Sequence, residues 1–463
     1  MQSRAFLPKR RTMPAKFPAW SIGVARRVIT PPLGSPMAGF DARKDVAKAV
    51  HDDLHARAMV FDDGTRQIVF VSVEVIAISP EFAGSVRAEC ESVTGIPAGQ
   101  IFLCATHTHC GPVTLHHFFN QGQALDEKYL RALAVGIVVA VEQALANKKP
   151  RILKTGLVEC DGIAVNRRTE NGLPVDPYAG VLLIEELDGM PTAIAVLYAC
   201  HTTVLGPDTL SITQDFPFYA LAKLRSALGD HIEAMYLNGA EGDLSIGHKS
   251  DLSAVGVIDS FRTFATAKRL GEKLADAVIA GLPSLTIEVP SIGIKTSCVA
   301  LPLKTYDRLA AMTAAREQAL AEIREGGQDR EMLAKRKQAL FARIEEYYAA
   351  LYEASDTAEP KTLTVEFAAI RLGETAFLTL PGEIFVRVAL EMRKSSPFVK
   401  TLFLGLANDY IGYLPDEQAA ASSGYEVIAS RVPASAGKIL QEEAKALLEN
   451  ISMWNLPQEM EKA

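Results

Sequence analysis

The sequence predicts an α/β fold with mixed, partly parallel sheets and flanking helices, plus an inserted helical hairpin. Three observations predict it. Short runs of β-branched and apolar residues alternate with amphipathic stretches through most of the chain. Strand-like Gln67 to Val75, helix-like Ser79 to Thr94 and strand-like Ile101 to Ala105 form a crossover unit, which requires parallel strands and a right-handed connection. From Thr305 to Glu353 the composition shifts to Ala, Leu, Glu, Lys and Arg at helical spacing, broken by Gly326-Gly327. That stretch reads as two antiparallel helices laid on the main body.

Each element has its own signal. The first 30 residues are polar and basic and read as a loosely held lead-in, with residues 1–21 outside the folded domain and residues 22–463 forming it. Leu54 to Phe61 alternates, Asp62-Asp-Gly-Thr65 turns, and Gln67 to Val75 alternates again, which is a β-hairpin. Ser79 is placed to cap the next helix, Pro80 fits its first turn, and Gly95 stops it. Asp126 opens a long amphipathic helix to about Asn147. Strands are expected over Arg151 to Val158, Gly180 to Glu186, Thr192 to Ala199 and Ala234 to Leu237, with helices over Pro217 to Leu228 and Phe261 to Ala280. Leu285 to Leu301 is extended. After the hairpin, Leu363 to Arg371, Ala376 to Leu380 and Thr401 to Leu406 return to strand, with a helix between Ile384 and Met392.

Bulk properties exclude several classes. With 463 residues, 48% hydrophobic and 22% charged, the chain can bury a large core, and no Ser/Gly/Pro-rich linker divides it. A net charge of −7 offers no basic face for phosphate backbones, so nucleic acid is not an expected partner. Lys9, Arg10 and Arg11 are followed by Pro14, Lys16 and Pro18 rather than an apolar run, so no export signal is read. The strongly apolar run Ala132 to Val141 is ten residues, too short to span a bilayer, and a cytoplasmic location is expected. The six cysteines, Cys90, Cys104, Cys110, Cys160, Cys200 and Cys298, contain no C-x-x-C pair and read as reduced thiols, several of them in apolar runs.

The chemistry concentrates where strands end. Ile101 to Ala105 runs into Thr106-His-Thr-His109 and then Gly111-Pro112, which must turn. Side chains two apart on an extended chain point the same way, so His107 and His109 face one cavity, as a metal ligand beside a proton handler would. A polar pair capping a strand has the same pattern. Other strands share the grammar of apolar run, polar cluster with glycine, then turn. Their tips carry His201, Asp243 with Ser245, Glu383, and Tyr410 or Tyr413. In a largely parallel sheet such carboxyl-end tips share one edge. Two histidines with a carboxylate form a recurrent catalytic zinc set that leaves a position for water. Asp243 and Ser245 also fit a turn and a cap, and Glu383 fits the start of a helix. His51 and His55 read as structural, and His116, His117, His231 and His248 as loop or surface residues.

Taken together, Thr106-His-Thr-His109, the His201 tip, Gly242-Asp-Leu-Ser245, Leu380-Pro-Gly-Glu383, and Asn408-Asp-Tyr-Ile-Gly-Tyr413 with Gly424-Tyr-Glu426 occur in the order seen in the neutral (non-lysosomal) ceramidase family. The chain resembles that family from about Ile22 to about Gly437. The resemblance implies a zinc amidase in which His107, His201, Glu383 and Tyr413 hold the metal. It puts His109, Asn166-Arg167, Ser245 and Tyr425 around the scissile amide. It also implies a single catalytic domain, here without the C-terminal immunoglobulin-like domain of secreted members. One motif departs: Gly242-Asp-Leu-Ser-Ile-Gly247 stands where the family has Gly-Asp-Val-Ser-Pro-Asn.

The expected function is amide hydrolysis of a small-molecule or lipid-derived N-acyl substrate by a zinc-activated water. His109 would carry the proton, and Tyr425 and Arg167 would donate to the developing negative charge. A zinc esterase or lactonase on the same scaffold is the competing enzyme reading, because the leaving atom does not alter the donors required. A non-catalytic scaffold or binding protein is the third, and a homo-oligomer is compatible with the sequence.

Overall fold

A computed structural model describes residues 19–120, 123–168, 174–305, 309–323, 330–353 and 361–454. The Gly326-Gly327 break lies outside these residues. Strand β1 (Trp20–Val28) is followed by the hairpin β2 (His55–Asp62) and β3 (Gln67–Val73). Helix α1 (Pro80–Thr94) leads to β4 (Ile101–Ala105), and α2 (Glu127–Ala146) to β5 (Lys149–Glu159). The Ser79 side chain accepts from the Phe82 N–H, Gly95 closes α1 at φ 74°, and Asp126 caps α2 by accepting from Tyr129. Strands β6 (Tyr178–Glu185) and β7 (Pro191–Tyr198), helix α3 (Phe216–Leu228), β8 (Glu233–Asn238), helix α4 (Phe264–Gly281) and strand β9 (Thr286–Glu288) follow. Then come β10 (Ile292–Pro302), the helical hairpin α5 (Leu309–Glu322) and α6 (Arg330–Glu353), β11 (Thr362–Leu372), β12 (Thr375–Thr379), α7 (Val386–Lys394), β13 (Lys400–Leu404) and α8 (Ser435–Ser452).

The strands build two sheets packed face to face. The larger runs β8-β7-β6-β5-β1-β2-β3-β4 with β9 beside β5, and the smaller runs β10-β11-β12-β13. Their shared core holds Trp20, Phe61, Phe70, Phe102, Leu237, Phe377 and Leu402. Helices α1 and α2 cover one end of the large sheet, α3 and α4 the other, and α8 covers β10 and β11.

Two expectations are corrected here, and a third is met. The lead-in reading fails from Trp20 onward: Trp20, Ile22 and Gly23 are buried in a strand between β2 and β5, while the basic Arg26-Arg27 that gave the polar impression falls toward its exposed end. The run Ala132 to Val141 is part of a 20-residue helix long and apolar enough, by length and composition, to cross a bilayer, although its inner side packs on β1 and β2. The sheets are mixed and partly parallel, as expected, although not the largely parallel kind whose strand tips share one edge. Only β3–β4 and β7–β8 in the large sheet and β12–β13 in the small one run parallel.

The strand tips nevertheless meet, for a different reason. The two ends of the large sheet come together, with β8 in contact with β3 and β4, and Ser72 Oγ in β3 donates to Tyr236 O in β8 at 2.6 Å. Backbone bonds lace the small sheet to the same place: Gly405 N to Asn238 O at 2.8 Å and Asn408 N to Leu103 O at 2.8 Å.

Candidate metal centre and active site

Four tips converge on one buried cluster. His107, two residues past β4, is held at φ 65°, where a side chain other than glycine is strained. Its N–H bonds Val75 O at 3.0 Å, and its Nδ1 lies 2.8 Å from Ile76 O. A carbonyl can only accept, so the proton sits on Nδ1 and Nε2 is left with a free lone pair. His201, beyond β7, is fixed the same way, with Nδ1 at 2.8 Å from Glu241 O and 3.0 Å from Leu244 O. Glu383 follows β12, in a short parallel pairing of Glu383–Ile384 with Tyr413–Leu414. Gly242 is required beside it, because a Cβ there would lie 2.4 Å from Glu383 O.

The ligand atoms face one another. His201 Nε2 is 2.8 Å and His107 Nε2 3.6 Å from Glu383 Oε2, and His109 Nε2 is 3.2 Å from His107 Nε2. The ligand nitrogens of the three histidines lie within 4.8 Å of one another. Tetrahedral zinc with bonds of about 2.0–2.1 Å separates its ligands by about 3.3 Å. The donor set therefore fits a zinc-sized ion, with neutral nitrogens and one carboxylate.

Electrostatics keeps the set in its ligating form. Burial lowers the pKa of His107, carries that of His109 well down, and brings that of His201 to about 4, so all three are neutral at pH 7. Burial pushes Glu383 upward, but His107 and the His201 contact outweigh it and hold the carboxyl well below its usual range. Tyr410 completes the carboxylate by donating its hydroxyl to Glu383 Oε1.

The remaining expected residues divide. Tyr413 is buried, its ring stacked on His201 with centroids 6.4 Å apart, and its hydroxyl accepts from Arg167 Nη2 at 3.1 Å. Arg167 also donates to Gly242 O at 3.0 Å and Glu426 Oε1 at 2.8 Å. Burial works against its charge, but Tyr413, Glu426 and Glu383 outweigh that and raise its pKa. Asn166 Nδ2 donates to Asp243 Oδ2 at 2.6 Å, and Asp243 Oδ1 accepts from Val386 N at 2.8 Å, so this pair holds loops together. Tyr425 stands edge-on to Tyr413 at 6.0 Å, half-buried. Ser245 is engaged in its own turn, its hydroxyl donating to His248 O and accepting from Gly247 N, both at 3.3 Å. His109 is the cluster's partly exposed member, packed on Phe40 with Nδ1 unpartnered.

Several contributors differ from, or add to, the residues expected from the sequence. Glu426, buried in the Gly424-Tyr-Glu426 motif, is clamped by Arg167, Arg168 and the Ser250 hydroxyl. Gly39, at φ 96°, leaves room for His109, whose ring a Cβ would approach to 2.4 Å. His117 and His248 are buried rather than surface residues, because the aromatic cluster with Phe118 and Phe119 and the 244–250 turn enclose them. No local pattern marked these positions, since each depends on a contact from a distant tip.

Comparison with known proteins gives consistent relatives. Residues 20–224 match the family described as neutral/alkaline non-lysosomal ceramidase, N-terminal. Neutral ceramidase from Pseudomonas aeruginosa is 25% identical over 201 residues, 40% of this chain and 30% of that protein. Neutral ceramidase B from Dictyostelium discoideum is 26% identical over 203 residues, 40% of this chain and 28% of that protein. The matched stretch thus spans under a third of either relative. The crystal structure of the Pseudomonas aeruginosa neutral ceramidase superposes with a TM-score of 0.71 at 18% identity, covering 94% of this chain and 75% of that one. A structure described as ceramidase complexed with C2 gives the same score and identity over 94% and 76%. At that identity the likeness speaks for the fold.

Proposed function

We propose that this chain, whose residues 20–224 match the neutral/alkaline non-lysosomal ceramidase family, is a zinc-dependent amidohydrolase that cleaves the amide bond of an N-acyl substrate. The observation that carries the proposal is the meeting of three imidazoles and one carboxylate at a single point in the interior.

His107, His201 and Glu383 would hold the ion, with Tyr413 beside them. A bound zinc supplies Lewis acidity, lowering the pKa of water and polarising a carbonyl. The chain's own residues do the rest. His109, whose Nε2 faces the cluster 3.2 Å from His107 Nε2, takes a proton from the attacking water and returns it to the leaving nitrogen, so that the C–N bond breaks to give a carboxylic acid and an amine. Arg167 is held charged by Glu426 and anchors Tyr413, and Tyr425 stands next to that pair, able to donate to the oxygen that gains negative charge. Ser245 has no part in this reading, because its hydroxyl is used within the turn.

The deciding experiment measures bound metal in purified protein and screens acyl amides, from N-acyl amino acids to ceramides, with and without chelator. Stoichiometric zinc and chelator-sensitive amide cleavage support the reading. A protein without stoichiometric metal that cleaves no amide would end it. Chain-matched esters in the same screen separate an amidase from an esterase or lactonase.

A further inference from the structure

A groove of about 620 Å³ lies between the helical hairpin and the body. Leu320, Arg336 and Leu340 of the hairpin form one wall, and Lys44 and Val255 face them. Its lining is more apolar than polar in character, and Leu320 is 52% exposed, so the apolar strip is open to water. Arg343 is paired with Asp41 at 2.6 Å and Arg316 with Glu346. Lys44 and Arg336 have no acidic partner among the described residues, Lys44 bonding only the Asp41 carbonyl at 3.0 Å. An apolar strip flanked by two cations with no acidic partner among the described residues fits an unbranched chain ending in an anion.

We propose that this groove binds a long-chain carboxylate at a site separate from the metal centre. The two are neighbours, since Asp41 at the groove follows Phe40, whose ring lies 4.8 Å from the His109 ring. The apolar chain covers Leu320 and Leu340, and the carboxylate is neutralised by Arg336 and Lys44. A neutral chain would leave both cations unmatched, and a cationic one would be repelled. Recognition depends on charge and chain alone, so the site does not require the hydrolase reading. The acid released by cleaving an N-acyl amide does have this chemistry.

The test is calorimetric titration of the metal-loaded full chain with submicellar hexadecanoate, against hexadecanol and hexadecylamine. Equimolar binding of the carboxylate is expected, with much weaker binding of the alcohol and none of the amine. Combining Lys44→Glu with Arg336→Glu should weaken binding by about tenfold or more. Leu320→Asp, at an exposed position that leaves the core intact, should weaken it as well. His107→Ala, which disables the proposed metal centre, should bind hexadecanoate as wild type does. Equal binding of the amine, wild-type affinity in the charge-reversed variant, or loss of binding in His107→Ala would each overturn the proposal. The His107→Ala result also keeps this failure distinct from failure of the hydrolase reading, which is judged by amide turnover.

Discussion

The Tyr410 hydroxyl is hydrogen-bonded to the Glu383 oxygen that does not face His201. Glu383 is thus oriented by Tyr410 on the side away from His201. Behind Tyr410 the ring of His117 lies 5.2 Å away, and His117 Nε2 is 3.2 Å from the Tyr348 hydroxyl of α6. Tyr410→Phe keeps the ring and removes the bond. Metal affinity should fall by about 10–100-fold with the fold intact, read by competition with a calibrated chelator. Unchanged affinity would mean that Tyr410 only fills space.

His107 and His109 should separate cleanly. His107→Ala should lose metal and activity together. His109→Ala should retain the ion and lose turnover by about 10²–10⁴-fold, as expected for a proton carrier. Elemental analysis beside a single-turnover assay makes the comparison. If His109→Ala arrives without metal, the three-imidazole cluster is itself the ligand set.

Glu426 neutralises two buried guanidinium groups. Burial pushes its pKa up, but Arg167, Arg168 and the Ser250 bond outweigh that and lower it. Glu426→Ala would strand Arg167 in the interior, and breaking such a pair costs about 3–5 kcal/mol. Chemical denaturation should show that loss. An effect near zero would show that water replaces the carboxylate.

Acid should weaken the fold through its buried imidazoles. The pKa of His117 is lowered to about 3 by burial, whereas an unfolded histidine titrates near about 6.5. Between those values the unfolded chain binds the proton and the folded chain does not. The contribution of His117 is therefore complete above about pH 6.5 and declines below it by up to about 1.4 kcal/mol per pH unit. His107 and His201 shift in the same direction. His117→Gln should flatten the dependence of the denaturation midpoint on pH by about one proton. An unaltered slope would assign the acid sensitivity elsewhere.

Local signals carried most of the fold. Caps at Ser79 and Asp126 and the glycine at position 95 fixed helix ends because they act within a turn of the chain. Strand β1 escaped notice because the Arg26-Arg27 pair masks an inner face of Trp20 and Ile22. The 435–452 helix had no assigned element, although it covers β10 and β11. The expected ligands His107, His201 and Glu383 do meet, not along one parallel edge but where the two ends of the mixed large sheet and the small sheet touch. Tyr410 and Tyr413, three apart in a loop with no periodicity, could not be told apart by spacing. Only the partner each hydroxyl finds separates them.

Because the proposed donors hang from both sheets and from opposite ends of the larger one, an ion held by all of them would need both sheets assembled. Metal uptake during refolding would therefore lag until the last of the contributing segments, near residue 413, has docked. An ion's arrival would then serve as a timestamp for completed assembly, and under the proposed function partly folded chains would stay free of uncontrolled hydrolytic chemistry.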